Sequence, residues 1–109
     1  MQRVLLTGAA GSIGTFLRRE LAGVYPELIL ADVAPITNLG PGETYLPLDI
    51  TDADAFTKAC EGVDGILHFA GQAGENTWED IRAKNIDGVY NLFEAARIQG
   101  VKRVCFATS

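Results

Sequence analysis

The chain has 109 residues, a one-domain length at which about two-thirds of the unfolded surface can be buried. Apolar residues make up 48% and charged residues 21%, ordinary soluble proportions that argue against a disordered or fibrous chain. A net charge of −5 with no cluster of Lys or Arg argues against a nucleic-acid or anionic-membrane partner. No apolar run is long enough for a membrane span, and Met1 leads into a strand rather than a signal peptide, so the expected compartment is the cytoplasm.

The first apolar run, Arg3-Val4-Leu5-Leu6, predicts a strand over 3–7. Thr7-Gly8-Ala9-Ala10-Gly11-Ser12-Ile13-Gly14 follows, and then Ile13, Phe16, Leu17 and Leu21 recur at helical spacing, predicting a helix over 12–22 stopped by Gly23. Leu28-Ile29-Leu30-Ala31 predicts a second strand over 28–31, ending at Asp32. This strand, glycine turn, helix, strand and acid form the context that a dinucleotide fingerprint requires. Gly8 permits a tight turn, Gly11 leaves room for a diphosphate beside the Ala10 to Ile13 backbone, and Gly14 lets the helix pack closely on the sheet. The helix opening at Ser12 offers its N–H groups and positive dipole end to the phosphates. Asp32 can accept from both hydroxyls of the adenosine ribose and repel a 2′-phosphate. Val33, Ala34 and Pro35 follow it rather than Arg or Lys, so the expected cofactor is NAD, not NADP.

The segment 33–42 is too broken by Pro and Gly to hold a long helix, so the usual second crossover helix is expected to be shortened or missing. A third strand is predicted over 44–48. Asp49 and Ile50 follow it, where the acid can accept from the adenine amino group and the apolar neighbour can cover the ring; an acid at a strand end before a helix serves a structural role equally well. Thr51-x-x-Asp54 resembles a capping box for a short helix near Asp52, with Phe56 and Cys60 on one face and Gly62 at its end.

A fourth strand over 65–69 ends in Phe69-Ala70-Gly71, whose small residues let the nicotinamide half of the dinucleotide lie against the backbone. His68, inside that strand without a partner acid, reads as a hydrogen-bonded core residue rather than a base. Thr77-x-x-Asp80 is a second capping pattern. After it Trp78, Ile81, Asn85, Val89, Leu92 and Ala96 form one stripe up to Gly100. Asn85, a polar group on that buried stripe, either ties the helix to the fourth or fifth strand and fixes the active-site backbone or is a plain structural amide. A fifth strand is expected over 103–108, apolar throughout as a strand covered on both faces should be. Cys60 and Cys105 have no metal-ligand spacing and are expected to be reduced structural thiols.

Strands alternating with helical patterns predict an α/β, Rossmann-like doubly wound parallel sheet of five strands in the order 3-2-1-4-5. The cofactor crevice should open between strands 1 and 4 at their carboxyl ends.

Together the glycine turn, Asp32, Asp49-Ile50, His68-Phe69-Ala70-Gly71 and Asn85-Ile86-x-Gly88-x-x-Asn91-Leu92-x-Glu94-Ala95-Ala96 resemble the extended short-chain dehydrogenase/reductases, the NAD-dependent epimerase/dehydratase family. Within it, Leu6-Thr7-Gly8-Ala9-Ala10-Gly11, Leu30-Ala31-Asp32 and the stretch from Val89 to Arg97 resemble the uronate dehydrogenases. That resemblance implies oxidation of a hexuronate to an aldarolactone with hydride transfer to NAD. It also implies a substrate-orienting Ser or Thr after the fifth strand, matched here by Ser109, and a Tyr-x-x-x-Lys pair on the next helix. The three tyrosines are followed four residues later by Ile29, Asp49 and Glu94, so none begins that pair. Gln72-Ala73-Gly74-Glu75-Asn76 stands where those enzymes carry a Ser-containing loop that touches the sugar acid.

The 109 residues are therefore expected to be the NAD-binding N-terminal part of such an oxidoreductase, inactive alone, with the sugar acid a partner only of the complete protein. A homodimer or strand exchange is expected through an exposed edge at 103–109. A sugar-nucleotide epimerase or dehydratase parent, and a nucleotide-sensing or structural module without catalysis, are the alternative readings.

Overall fold

The computed structural model describes residues 1–70 and 82–106. Gly71, the loop from Gln72 to Asn76, the Thr77 and Asp80 capping pattern, Trp78, Ile81 and Ser109 lie outside the described residues.

Five parallel strands, β1 (Arg3–Thr7), β2 (Glu27–Asp32), β3 (Glu43–Pro47), β4 (Gly65–His68) and β5 (Arg103–Phe106), form one sheet in the order β3-β2-β1-β4-β5. The expected order is thus the observed one. β1 lies at the centre with Leu5 between Ile29 and Ile66, and Thr7 between Ala31 and His68. Because successive side chains point to opposite faces, β1 feeds two cores. Val4 and Leu6 join Ala9, Leu28 and Leu30 on one face, while Leu5 joins Ile29, Ile66, Phe56 and Leu92 on the other.

Helix α1 (Ser12–Glu20) covers the first face through Leu17, while α2 (Ala53–Ala59) and α3 (Gly88–Gln99) pack together on the second. The strand order reverses between β1 and β4. That is where a crevice forms in a doubly wound sheet.

Several local expectations are corrected. α1 ends at Glu20 with Leu21 as its C-cap, two residues short, because the chain turns at once, with Val24 N–H donating to the Leu21 carbonyl at 3.0 Å. Its docking face is Gly14 and Leu17, with Leu21 half-buried; Ile13 and Phe16 are exposed. The cap of α2 is Asp52, whose carboxylate accepts from Ala55 N–H at 3.1 Å, not Thr51, whose hydroxyl turns back to Asp49 at 2.7 Å. Phe56 and Cys60 are fully buried as expected, and burial pushes the Cys60 thiol up to about 12.

Before α3 the chain makes a π-helical turn, Arg82–Asp87, which inserts a residue into the helical phase. The buried face is therefore Gly88, Asn91, Leu92, Ala95 and Ala96, with Asn85 and Val89 only half-buried. Gly100 ends the helix in the left-handed conformation, φ 68°, as its position after the stripe predicts. β5 departs from the fully covered strand expected. Val104 packs into the core and the Phe106 ring meets Phe93 edge-on at 5.4 Å, yet Cys105 and Phe106 are exposed, since among the described residues no strand flanks β5 on its outer side.

No regular helix forms over 33–42. The segment is held instead by Arg18 on α1, whose guanidinium grips both Glu43 oxygens, at 2.9 and 2.9 Å at the shortest, and donates to the Asn38 carbonyl at 2.6 Å. The pairing holds the Glu43 carboxyl below its usual range.

Candidate dinucleotide site

The turn leaving β1 is shaped by backbone contacts that exclude side chains. Gly8 has φ +70°, and a Cβ there would lie 2.6 Å from Ala70 N and 2.7 Å from the Phe69 carbonyl. Gly14 is equally constrained, since its Cβ would strike the Gly8 carbonyl and come within 2.7 Å of Ala9 Cα. Its close approach is to the turn itself, not to the sheet as expected from the sequence. Gly11 differs from both. Its backbone is ordinary extended chain, φ −77° and ψ 179°, and an added Cβ would meet only the Gly8 carbonyl at 3.4 Å, an ordinary contact. Among the described residues nothing demands glycine there, and they leave space beside it for an incoming group.

Gly11 is also the N-cap of α1, where it has no side chain to accept the leading N–H groups, and no acid occupies the first turn. Gly11 N–H donates to the Gly8 carbonyl at 3.0 Å and Thr15 N–H to the Gly11 carbonyl at 2.9 Å, which fixes the amino end of the helix. Ser12 and Ile13 are exposed on that end. An uncapped helix start with a bare glycine beside it has the donors and the space a diphosphate takes.

Asp32 ends β2 beside this turn. Its Oδ2 accepts from Ala10 N–H at 3.0 Å and its Oδ1 from Ala34 N–H at 2.9 Å, while Ala9 N–H binds the Ala31 carbonyl at 3.2 Å. Two amides thus aim one carboxylate over the glycine turn. Each oxygen has a second lone-pair site, so the pair of ribose hydroxyls can still be accepted. Tyr45 steadies the exit from β2, its one hydroxyl proton shared between the carbonyls of Asp32 at 3.1 Å and Ala34 at 3.0 Å.

Asp49 stands at the neighbouring strand end, exposed, with Oδ1 accepting from Thr51 N–H at 2.9 Å and from its hydroxyl at 2.7 Å. Ile50 is corrected: its side chain is 4% exposed and packs into the core, so it offers little apolar cover to a ring outside. Its carbonyl accepts from Asn91 Nδ2 at 2.9 Å. The sequence reading singled out Asn85 and missed Asn91, the buried amide that supports this turn. The spacing Gly88, Asn91, Leu92, Ala95 was the available signal.

Across the crevice Phe69 and Ala70 are half-buried, and their N–H groups donate to Thr7 Oγ1 at 3.1 and 3.2 Å. Thr7 Oγ1 also lies 2.7 Å from His68 Nδ1. His68 is a core residue, 2% exposed, and burial lowers its pKa to about 4. Thr7 was not recognised in the sequence, because its partners are about sixty residues away. Cys60 and Cys105 are both free thiols, the second exposed. Among the described residues no group of three or more His, Cys, Asp or Glu is placed to hold a metal ion, and no helix is long and apolar enough to cross a membrane.

Residues 4–109 match the model of the NAD dependent epimerase/dehydratase family. The chain is 45% identical over 108 residues to a uronate dehydrogenase of Pseudomonas putida, covering 98% of this chain and 40% of that protein. It is 36% identical over 111 residues to an L-arabinose 1-dehydrogenase (NAD(P)(+)) of Haloferax volcanii, covering 100% of this chain and 41% of the relative. The crystal structure of a mutant uronate dehydrogenase from Agrobacterium tumefaciens, complexed with NAD, superposes with a TM-score of 0.93 at 44% identity, over 100% of this chain and 41% of that one. The chain thus spans about 40% of the length of the curated relatives it matches.

Proposed function

Because this chain belongs to the NAD-dependent epimerase/dehydratase family, we propose that its 109 residues are the NAD-binding domain of an oxidoreductase of the uronate dehydrogenase type. The observation that carries this reading is the Asp32 carboxylate, held by the amides of Ala10 and Ala34 over an uncapped helix start. Gly8, Gly11, Ser12, Ile13 and Gly14 form the diphosphate seat, and Ala10 orients Asp32 toward the adenosine ribose. Asp49 faces the adenine edge with Ile50 behind it. Phe69 and Ala70 line the nicotinamide half, with Asn85 supporting the backbone there; Gly71 is assigned to the same half from the sequence alone.

Selection of NAD over NADP follows from charge. A 2′-phosphate would meet the Asp32 carboxylate, and Arg18, a cation of α1, is already committed to Glu43 and Asn38. When bound, NAD supplies the hydride-accepting chemistry. Within these residues Ser109 is assigned to orient the substrate hydroxyl, and no Tyr-x-x-x-Lys pair is present in the 109 residues. The uronate dehydrogenases at 44–46% identity support a hexuronate over the arabinose of the more distant relative. The free thiols suit a reducing compartment, the cytoplasm. The open edge of β5, with Phe106 and Cys105 exposed, is proposed as the place where two copies meet.

The test is a titration of NAD into isotope-labelled protein followed by amide NMR. Shifts concentrated on Gly8 to Gly14, Asp32 and Ala34 are expected. The absence of any shift at millimolar NAD would refute the reading.

A further inference from the structure

The crevice floor, where β1 and β4 end side by side, is joined by two Thr7 oxygens: the carbonyl, which accepts from Phe69 N–H at 3.2 Å, and the hydroxyl, which also reaches Ala70. Thr7 is 1% exposed, and its Oγ1 lies 3.1 Å from Phe69 N, 3.2 Å from Ala70 N and 2.7 Å from His68 Nδ1. Backbone N–H groups only donate, so Oγ1 accepts from Ala70 and shares the Phe69 proton with the Thr7 carbonyl, and the hydroxyl proton goes to His68. Nδ1 is then an acceptor, and in a neutral imidazole the ring proton resides on Nε2. Burial keeps the ring neutral, with a pKa of about 4.

That Nε2 is itself buried and has no hydrogen-bond partner among the described residues, with the Phe56 ring 5.9 Å away between centroids. A core position that needed only bulk would hold Leu or Phe and avoid an unsatisfied donor. What the imidazole adds is the acceptor at Nδ1. The neighbouring contacts leave little slack, because the Gly8 backbone already touches that of Phe69 and Ala70 where a Cβ would have to fit.

We infer that His68 is a positioning residue for the cofactor crevice: by accepting the Thr7 hydroxyl proton it aims Thr7 Oγ1 at the Phe69 and Ala70 amides. It thereby sets how the glycine turn meets the backbone opposite it. The inference rests on the NAD-binding reading above. His68 acts through Thr7.

Three substitutions separate this role from a packing role. His68→Asn leaves an oxygen near the Nδ1 position, His68→Gln places its polar group near Nε2, and His68→Leu removes both. NAD affinity of the whole 109-residue chain is measured by calorimetry at pH 7, with thermal melting followed by circular dichroism as the control for folding. Affinity is expected to fall about tenfold in His68→Leu and His68→Gln, the loss of about one hydrogen bond, and to stay within about threefold in His68→Asn. A packing role would lower the melting temperature in all three without ordering the affinities in this way, so equal affinities among folded variants overturn the inference.

If His68→Leu does not fold, the imidazole nitrogen shifts of the unmodified chain decide. A proton on Nε2 with Nδ1 bare is expected; a proton on Nδ1 overturns it. A chain that binds no NAD before any substitution overturns the functional reading and this inference together, and is distinguished because it is seen in the unmodified protein.

Discussion

The two sides of the sheet are built on different terms. On the side of β1 and β2, the groups that face the crevice are fixed by the chain's own hydrogen bonds: Asp32 by Ala10 and Ala34, and the Phe69 and Ala70 amides by Thr7. On the side of β5 and α3 the contact is apolar rather than polar: Phe93 meets Phe106 edge-on at 5.4 Å, while exposed apolar side chains occur on both sides, Ile13 and Val33 on the first as well as Tyr90 and Phe93 on the second. The contrast teaches that the groups around the glycine turn are held by directional hydrogen bonds within the chain, whereas the β5 and α3 side is held by apolar packing. Preorganised groups lose little freedom on binding; an exposed apolar edge gains most by being covered.

The largest effect should come from the core that both sides share. Phe56 is fully buried between α2 and the sheet, so Phe56→Ala should cost about 3–5 kcal/mol, read by urea denaturation. A loss under about 1 kcal/mol would mean the two sides do not share one core.

Next in size is a pH effect confined to the crevice side. The His68 pKa is lowered by burial to about 4 from 6.5, so the unfolded chain binds a proton first as pH falls. This contribution is fully present above pH 6.5 and is lost as pH drops through the window down to about 4, about 3 kcal/mol in all. Stability curves of the unmodified chain and His68→Asn should diverge in slope across that window. Parallel curves would contradict the assignment.

Asn91→Ala should cost about 1–3 kcal/mol, because it strands the Ile50 carbonyl beneath the Asp49 turn. The equivalent Asn85→Ala, on a half-buried residue, should cost less. Reversal of that order, measured by thermal melting, would restore the stripe expected from sequence.

These two asparagines show where sequence reasoning stopped. The strands, their order and the pairing of Asp32 with the glycine turn were legible, because apolar runs and a fixed spacing encode them locally. The face of α3 was legible at Leu92 and Ala96, which are buried as the stripe requires, but not at Gly88, Asn91 and Ala95, since the π-helical turn over Arg82–Asp87 breaks the phase carried in from the preceding residues and no propensity reports such a turn. Thr7 was invisible for a different reason: its role exists only once β4 lies beside β1. Ile13 and Phe16 looked like core residues at helical spacing, yet α1 meets the sheet side through Gly14 and Leu17 instead. Thr51 lost the cap to Asp52 because Asp49 competes for its hydroxyl.

The smallest effect on stability should accompany the largest on association. Phe93→Glu, at an exposed site against Phe106, should change folding by less than about 1 kcal/mol while abolishing self-association in sedimentation velocity. An unmodified chain that stays monomeric at high concentration would remove the proposed role of that edge.

The central claim is that Asp32 reads the adenosine ribose beside the glycine turn, and calorimetric titration of NAD and NADP into the chain and its Asp32→Ala variant tests it most directly. NAD should bind at least about tenfold tighter than NADP, and Asp32→Ala should weaken NAD about 10- to 100-fold while narrowing the gap to NADP. Equal affinity of the unmodified chain for both cofactors, or an Asp32→Ala variant that binds NAD undiminished, would contradict it.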